Sequence, residues 1–324
     1  MPSKLDQLKK MTVVTADTGD IEAVEAYAPT DCTTNPSLIL KAAGMEAYKG
    51  LLEEAILWGV DRNIPTSRIA ARLCVLFGAK LTSLVPGRVS TEVDADLSFD
   101  VEGTIAQART IISDYEERGV GRERVLIKIA ATWEGIQAAA RLEKEAINCN
   151  LTLVFSLAQA AACAEAGVYL ISPFVGRIYD WYVQNEGKTY APETDPGVLS
   201  VKQIYAYCKN VGAKTIVMGA SFRNKGQIEA LAGCDSLTIS PALLDELAKD
   251  EGKLTRQLEP VSAAKQAVAP MSLDEKSFRF MLNEDAMATE KLAEGIRIFA
   301  RDMRALRALV SQRLQIAGAS PVLT

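Results

Sequence analysis

Eight short apolar runs, each about the length of a β-strand, recur along this chain with helical patterns between them, and this alternation limits the fold more than any other feature. The runs cover residues 11–17, 28–33, 89–94, 125–130, 148–154, 168–174, 215–221 and 236–240. Between them, residues 44–58, 67–84, 101–118, 132–145, 156–165, 198–211 and 224–231 carry helical patterns. Strand followed by helix gives parallel strands joined by right-handed crossovers. Eight such units predict an α/β fold, a closed (β/α)8 TIM barrel, which takes about 250 residues. An open doubly wound sheet is the alternative, but no G-x-G-x-x-G follows the first strand. The chain, 1–324, thus reads as one barrel domain, with residues from about 242 onward forming a mainly helical C-terminal extension.

In that extension Leu292, Ile296, Phe299, Met303, Leu306 and Val310 fall at steps of four and three, one face of a helix. This stripe is expected either to cover the barrel or to meet another subunit. Arg297, Arg301, Arg304 and Arg307 lie on the other side, a pattern that reads as a solvated face. Residues 184–196, QNEGKTYAPETDP, read as an exposed connection. The Gly187-Lys188-Thr189 triplet within it resembles the end of a phosphate loop but lacks the preceding glycine.

The formal net charge of −5 argues against a phosphate-backbone binder, so no nucleic-acid partner is expected. The most apolar stretch, 151–173, is interrupted by Gln159 and Glu165, so no membrane span is expected. MPSKLDQLKKMTVV lacks the features of a signal peptide, and six cysteines without a C-x-x-C pair suit reduced thiols, so the expected location is cytoplasmic. The chain contains no histidine. That excludes Ser-His-Asp and Cys-His pairs and histidine-ligated zinc, and leaves lysine, carboxylates, hydroxyls and arginine for any catalysis.

RVLIKIAAT, residues 124–132, places a lysine within a buried strand. Val125, Ile127 and Ile129 share one face, while Leu126, Lys128 and Ala130 share the other. Lysine is rarely buried without a partner or a purpose, and removing an ammonium from water favours the nucleophilic amine. A core lysine in a salt bridge is an equal reading of this strand alone. The other polar residues gather where barrel enzymes place their sites, at the C-terminal ends of strands. Asp17 closes the first, Thr33, Thr34 and Asn35 follow the second, and Glu92 lies in the third. Asn148, Asn150 and Thr152 alternate along the fifth, Ser172 lies near the end of the sixth, and Ser221 and Arg223 end the seventh. Cys149, Leu151, Leu153, Tyr169, Ile171, Ile216 and Met218 then suit the helix-facing side. Asn148 and Ser221 are the first candidates for a merely structural role, but two carboxylates beside a lysine are costly to hold for structure alone.

TADTGD (15–20), TTNPSL (33–38), STEVDADLSFD (90–100), VLIKIAATWEGI (125–136), INCNLTLVFS (147–156), ISPFVGRI (171–178) and VMGASFRN (217–224) together resemble the transaldolase family. The resemblance covers nearly the whole chain and is closest to the branch of roughly 35 kDa, this chain's own size. It implies a (β/α)8 barrel, no metal or organic cofactor, a homodimer, and work in the non-oxidative pentose phosphate pathway. Lys128 would form a Schiff base with sedoheptulose 7-phosphate or fructose 6-phosphate. Glu92 would be the acid/base acting through a water that Thr152 helps hold, and Asp17 would take the proton of the C4 hydroxyl. Thr33 and Ser221 would join the substrate site, where Asn35, Asn150 and Ser172 would bind the hydroxyls of a retained dihydroxyacetone unit. Phe174 would line the pocket, and Arg177 and Arg223 would bind phosphate. Glyceraldehyde 3-phosphate or erythrose 4-phosphate would accept the unit. The resemblance separates this chain from the shorter fructose 6-phosphate aldolases, which have glutamine at the Glu92 position and tyrosine at the Phe174 position. Asp96, where arginine is expected, lies outside the expected site. The alternatives are a lysine aldolase that releases dihydroxyacetone and a silent barrel that only binds.

Overall fold

A computed structural model describes residues 2–265 and 268–316; the last part of the expected extension, 317–324, lies outside these. A short helix, α1 (Lys4–Leu8), leads into a closed barrel of eight parallel strands. These are β1 (Val13–Asp17), β2 (Asp31–Thr33), β3 (Val89–Glu92), β4 (Val125–Ala130), β5 (Cys149–Val154), β6 (Leu170–Pro173), β7 (Ile216–Gly219) and β8 (Ser236–Ile239). Pairing of β1 with both β2 and β8 closes the ring. Between β1 and β2 runs α2 (Ile21–Tyr27). The next crossover holds α3 (Pro36–Ala43), α4 (Lys49–Arg62) and α5 (Thr66–Thr82). Single helices follow: α6 (Val101–Glu116), α7 (Trp133–Lys144) and α8 (Leu157–Glu165). Then come α9 (Gly176–Glu186) and α10 (Pro196–Asn210) before β7, and α11 (Lys225–Glu229) before β8. Beyond the barrel lie α12 (Pro241–Lys249), α13 (Pro260–Ala263), α14 (Glu275–Glu284) and α15 (Ala286–Ile316). The chain is therefore a (β/α)8 TIM barrel with additional C-terminal helices.

The eight strands are the eight apolar runs, several of them shorter at the start. Residues 28–30 are not strand because Ala28 closes α2 in the left-handed region (φ 43°), its N–H bonded to the Val24 carbonyl. Helices α2, α3 and α9 were not expected. Their cues are local: Asn35 accepts from Leu38 N and Pro36 opens α3, a cap that periodicity does not register.

Val125, Ile127, Ile129, Cys149, Leu151, Ile171 and Val217 are buried between strands and helices, and Leu126 packs with Leu170 and Met218 inside the barrel. The alternation read from the sequence holds in β4 and in most of β5. It fails at Ile216 and Met218, expected to face the helices: both pack with the inner layer, as does Tyr169. It also fails at Leu153. There φ is +57° and the β5–β6 register shifts, so the extra residue turns Leu153 from the helices toward α15 at the barrel mouth.

The α15 stripe is buried within the chain. Leu292, Ile296 and Phe299 cluster with Leu153, Phe155 and Phe174 over the mouth, and Met303, Leu306 and Val310 with Ile39, Leu52 and Ile69 of α3–α5. Arg297, Arg301 and Arg304 are exposed, as expected. Half-buried Arg307 instead pairs with Asp94, and Arg304 with Asp96, tying α15 to the loop after β3. Asp96 is thus an anchor for this helix. All six cysteines are free and buried. No helix among the described residues is long and apolar enough to cross a membrane.

Candidate active site

A cavity of about 220 Å³ opens at the C-terminal ends of the strands. Of the residues singled out in the sequence, Asp17, Thr33, Asn35, Lys128, Thr152, Ser172, Phe174, Arg177, Ser221 and Arg223 line it. Glu92 and Asn150 are buried beside it rather than lining it: Glu92 reaches Lys128, and Asn150 is fully enclosed. Asn148 accepts from Arg88 and donates to Glu143, the structural role first considered for it.

Lys128 is 5% exposed. Its Nζ donates to the Thr34 carbonyl at 3.2 Å and lies 3.6 Å from Glu92 Oε2. The barrel register sets this geometry, because Lys128 is paired with Glu92 on one side and Asn150 on the other. Burial pushes the Glu92 carboxyl up to about 7, against the opposing charge of nearby Lys128. Glu92 Oε2 and Thr152 Oγ1 are both buried without a hydrogen-bond partner. Two orphaned oxygens near an ammonium are the usual setting for an ordered water or a substrate hydroxyl.

Asp17 sits half-buried at the mouth, its carboxyl raised by burial against the pull of Lys128, the Thr33 hydrogen bond and Arg177. Thr33 Oγ1 donates to Asp17 Oδ1 at 3.0 Å and lies 2.6 Å from Thr238 Oγ1. A hydroxyl has one proton to give, so Thr238 donates to Thr33 and the relay ends on Asp17. Ser172 donates to Asn150 at 2.6 Å, and Asn150 donates to Ser90 at 3.1 Å, which fixes the Asn150 amide.

Arg177 opens α9 and Arg223 lies in the loop after β7, and Gly176 brings them together. Its N–H donates to the Ser221 carbonyl at 2.6 Å, and a Cβ at this glycine would lie 2.3 Å from that oxygen. Gly176→Ala is therefore expected to force the β6–α9 and β7–α11 loops apart, at about 1–3 kcal/mol of stability. Denaturant unfolding read beside phosphate affinity checks this, since both should fall together. Ser221 has φ +61°, and this left-handed turn brings its side chain to the cavity although inward-facing Met218 and Ala220 have the opposite parity.

The sequence reading did not place Met218, Ala220, Phe222, Thr238, Ser240 or Phe299 at the site, though all line the cavity, and it had Met218 facing the helices. Thr238 and Ser240 could have been found, because Ser236, Thr238 and Ser240 alternate along the eighth run. Phe299 was visible only as one member of an apolar stripe. Among the described residues no group of three or more aspartate, glutamate, cysteine or histidine side chains could hold a metal ion.

Fold and side chains define a class: a (β/α)8 barrel with a lysine-centred mouth, flanked by carboxylates and arginines, in a chain without histidine. The pattern described as transaldolase/fructose-6-phosphate aldolase matches residues 14–310. The chain is 62% identical over 323 residues to a protein named transaldolase from Rhizobium etli, covering 98% of this chain and 100% of that one. Similar proteins of the same name come from Agrobacterium fabrum, 59% identical (98% and 100% covered), and Methylobacillus flagellatus, 56% identical (97% and 100% covered). The chain belongs to the transaldolase/fructose-6-phosphate aldolase family.

Proposed function

We propose that this chain is a transaldolase, moving a dihydroxyacetone unit from a ketose phosphate to an aldose phosphate through a Schiff base on Lys128. The observation that carries the reading is the enclosed contact of Lys128 with Glu92, beside the unpartnered oxygens of Glu92 and Thr152. The Lys128 amine adds to the ketone of fructose 6-phosphate or sedoheptulose 7-phosphate, forming a carbinolamine. Glu92 starts ionised: through a water held with Thr152 it takes the proton the nitrogen loses as the carbinolamine forms, then returns it to the hydroxyl, which leaves as water and gives the iminium. Asp17 takes the C4 hydroxyl proton as the C3–C4 bond breaks, the electron pair flows into the iminium, and the aldehyde departs. The enamine then attacks glyceraldehyde 3-phosphate or erythrose 4-phosphate, Asp17 returns the proton, and water releases the product.

Asn35 and Ser172 hold the hydroxyls of the retained unit, with Asn150 fixing Ser172 from below. Ser221, Arg177 and Arg223 receive the phosphate, as guanidinium forks suit its oxygens. Phe174 keeps one wall apolar. A homodimer in the cytoplasm, acting in the non-oxidative pentose phosphate pathway, is part of the same reading and rests on the resemblance.

The test is borohydride reduction with fructose 6-phosphate, followed by peptide mass analysis. A dihydroxyacetone adduct on the Lys128 peptide is expected, and no adduct from folded protein would leave only a binding barrel. Free dihydroxyacetone appearing without an acceptor at the rate of transfer would instead make the enzyme an aldolase.

A further inference from the structure

The two arginines proposed for phosphate are held in opposite ways. Exposed Arg223 spends Nε and Nη2 on Asp180 at 2.7 to 3.2 Å. Arg177 has no ion pair with a carboxylate among the described residues, and its Nη1 is buried without a hydrogen-bond partner. Rings hold it instead: the guanidinium carbon lies 5.1 Å from the centre of Phe174 and 5.5 Å from the centre of Phe299.

The difference matters for an anion. A carboxylate steadies a guanidinium by neutralising it, and any incoming phosphate must compete for the same N–H groups. A ring face attracts the cation through its quadrupole but brings no net charge and takes no N–H. Arg177 therefore keeps its N–H groups open: burial and then the charge of Arg223 act against its cation, while Glu294, Glu92 and Asp17 favour it without pairing with it. A dianion placed between the two relieves that repulsion.

Phe174 was already part of the expected site; Phe299 arrives from α15, in a segment without strands. Its ring is 3% exposed and lines the cavity. One turn earlier, Gly295 makes the approach possible: a Cβ there would lie 2.6 Å from Leu153 Cδ2 and 3.2 Å from Arg177 Nη1. Lys128 Nζ is also 5.8 Å from the Phe299 ring, but it has Glu92 and the Thr34 carbonyl as partners. Arg177 has no such substitute.

We infer that Phe299 is a positioning residue for phosphate recognition, its ring steadying the Arg177 guanidinium without taking up its N–H groups and leaving it open toward the cavity, so that the C-terminal helix forms part of the binding site. The inference rests on the phosphate reading of Arg177 and Arg223. It is tested by replacing Phe299 with pentafluorophenylalanine, which keeps the ring's shape but removes its attraction for a cation, beside Phe299→Tyr and Phe299→Leu. Calorimetry with inorganic phosphate gives the affinity, and borohydride trapping with unphosphorylated dihydroxyacetone reports Lys128 independently.

Phosphate binding is expected to weaken about tenfold, ~1.4 kcal/mol, in the pentafluoro and leucine proteins, and to stay within about twofold in the tyrosine protein. Trapping should be unchanged in all three. Unchanged phosphate affinity in the folded pentafluoro protein overturns the role of the ring while leaving the phosphate site intact. A wild-type protein that binds no inorganic phosphate removes the phosphate reading itself, and this inference with it. Equal losses of phosphate affinity and of trapping in the pentafluoro protein would mean a general disturbance of the mouth, which also overturns it.

Discussion

Replacing Lys128 by alanine is expected to lower transfer from fructose 6-phosphate to erythrose 4-phosphate on the order of 10⁴-fold or more, because no other group can supply the covalent step. Lys128→Arg should be equally inactive. It keeps a cation beside Glu92, but a guanidinium does not give up its proton to become a nucleophile. The pair of variants thus separates covalent catalysis from charge. The fold should survive in both, since Lys128 makes one hydrogen bond, to the Thr34 carbonyl, and the layer beneath is held by Leu126, Leu170 and Met218. In Lys128→Ala the buried Glu92 carboxyl loses the charge that opposes its protonation and should be neutral. Circular dichroism and phosphate affinity should therefore match wild type while transfer disappears. Full transfer by folded Lys128→Ala would sink the mechanism, and loss of phosphate binding together with transfer would show that the lysine organises the whole mouth.

Much of this site was legible because a strand has a period of two. Once residues 125–130 are read as buried β-structure, Lys128 must share a face with Leu126 and Ala130, and barrel closure then supplies Glu92 and Asn150 as its lateral neighbours. Where local backbone departs from that period, the reading fails. At Leu153 and Ser221 a left-handed residue turns a side chain out of phase, and in β7 the inward set is Ile216 and Met218 rather than the alternate positions. The parity reading, with Met218 facing outward, put Ser221 at the cavity, and it lies there only because this turn carries it. Phe299 shows a different limit. Periodicity assigns it to the apolar face of a helix, but which aromatic on that face meets Arg177 depends on how α15 crosses the mouth, and that is set by Gly295 and by the ion pairs of Arg304 and Arg307 with the loop after β3.

Glu92→Gln carries the second large effect, and its signature is in pH. Burial raises the Glu92 carboxyl to about 7 against the charge of Lys128. As base for the carbinolamine, Glu92 works ionised, and its ionised fraction falls about tenfold per unit well below pH 7. Imine formation, followed by borohydride trapping with dihydroxyacetone, should therefore rise with pH to a plateau above about 7. Glutamine cannot titrate, so the variant should lose that limb and run about 10²–10⁴-fold slower on the plateau. Asp17→Asn gives the contrast: it should trap dihydroxyacetone nearly as fast as wild type yet fail to cleave fructose 6-phosphate. Stability should move the opposite way. From the ordinary carboxyl value of 4.5 up to about 7, the unfolded chain releases a proton that folded Glu92 retains, so the wild-type fold weakens as pH rises across that window. Glu92→Gln carries no such proton, and its melting temperature relative to wild type should climb over the same range. A rate limb that stays in place in Glu92→Gln would assign the titration to another group, and a melting difference flat in pH would mean that Glu92 is not the carboxyl that burial holds protonated.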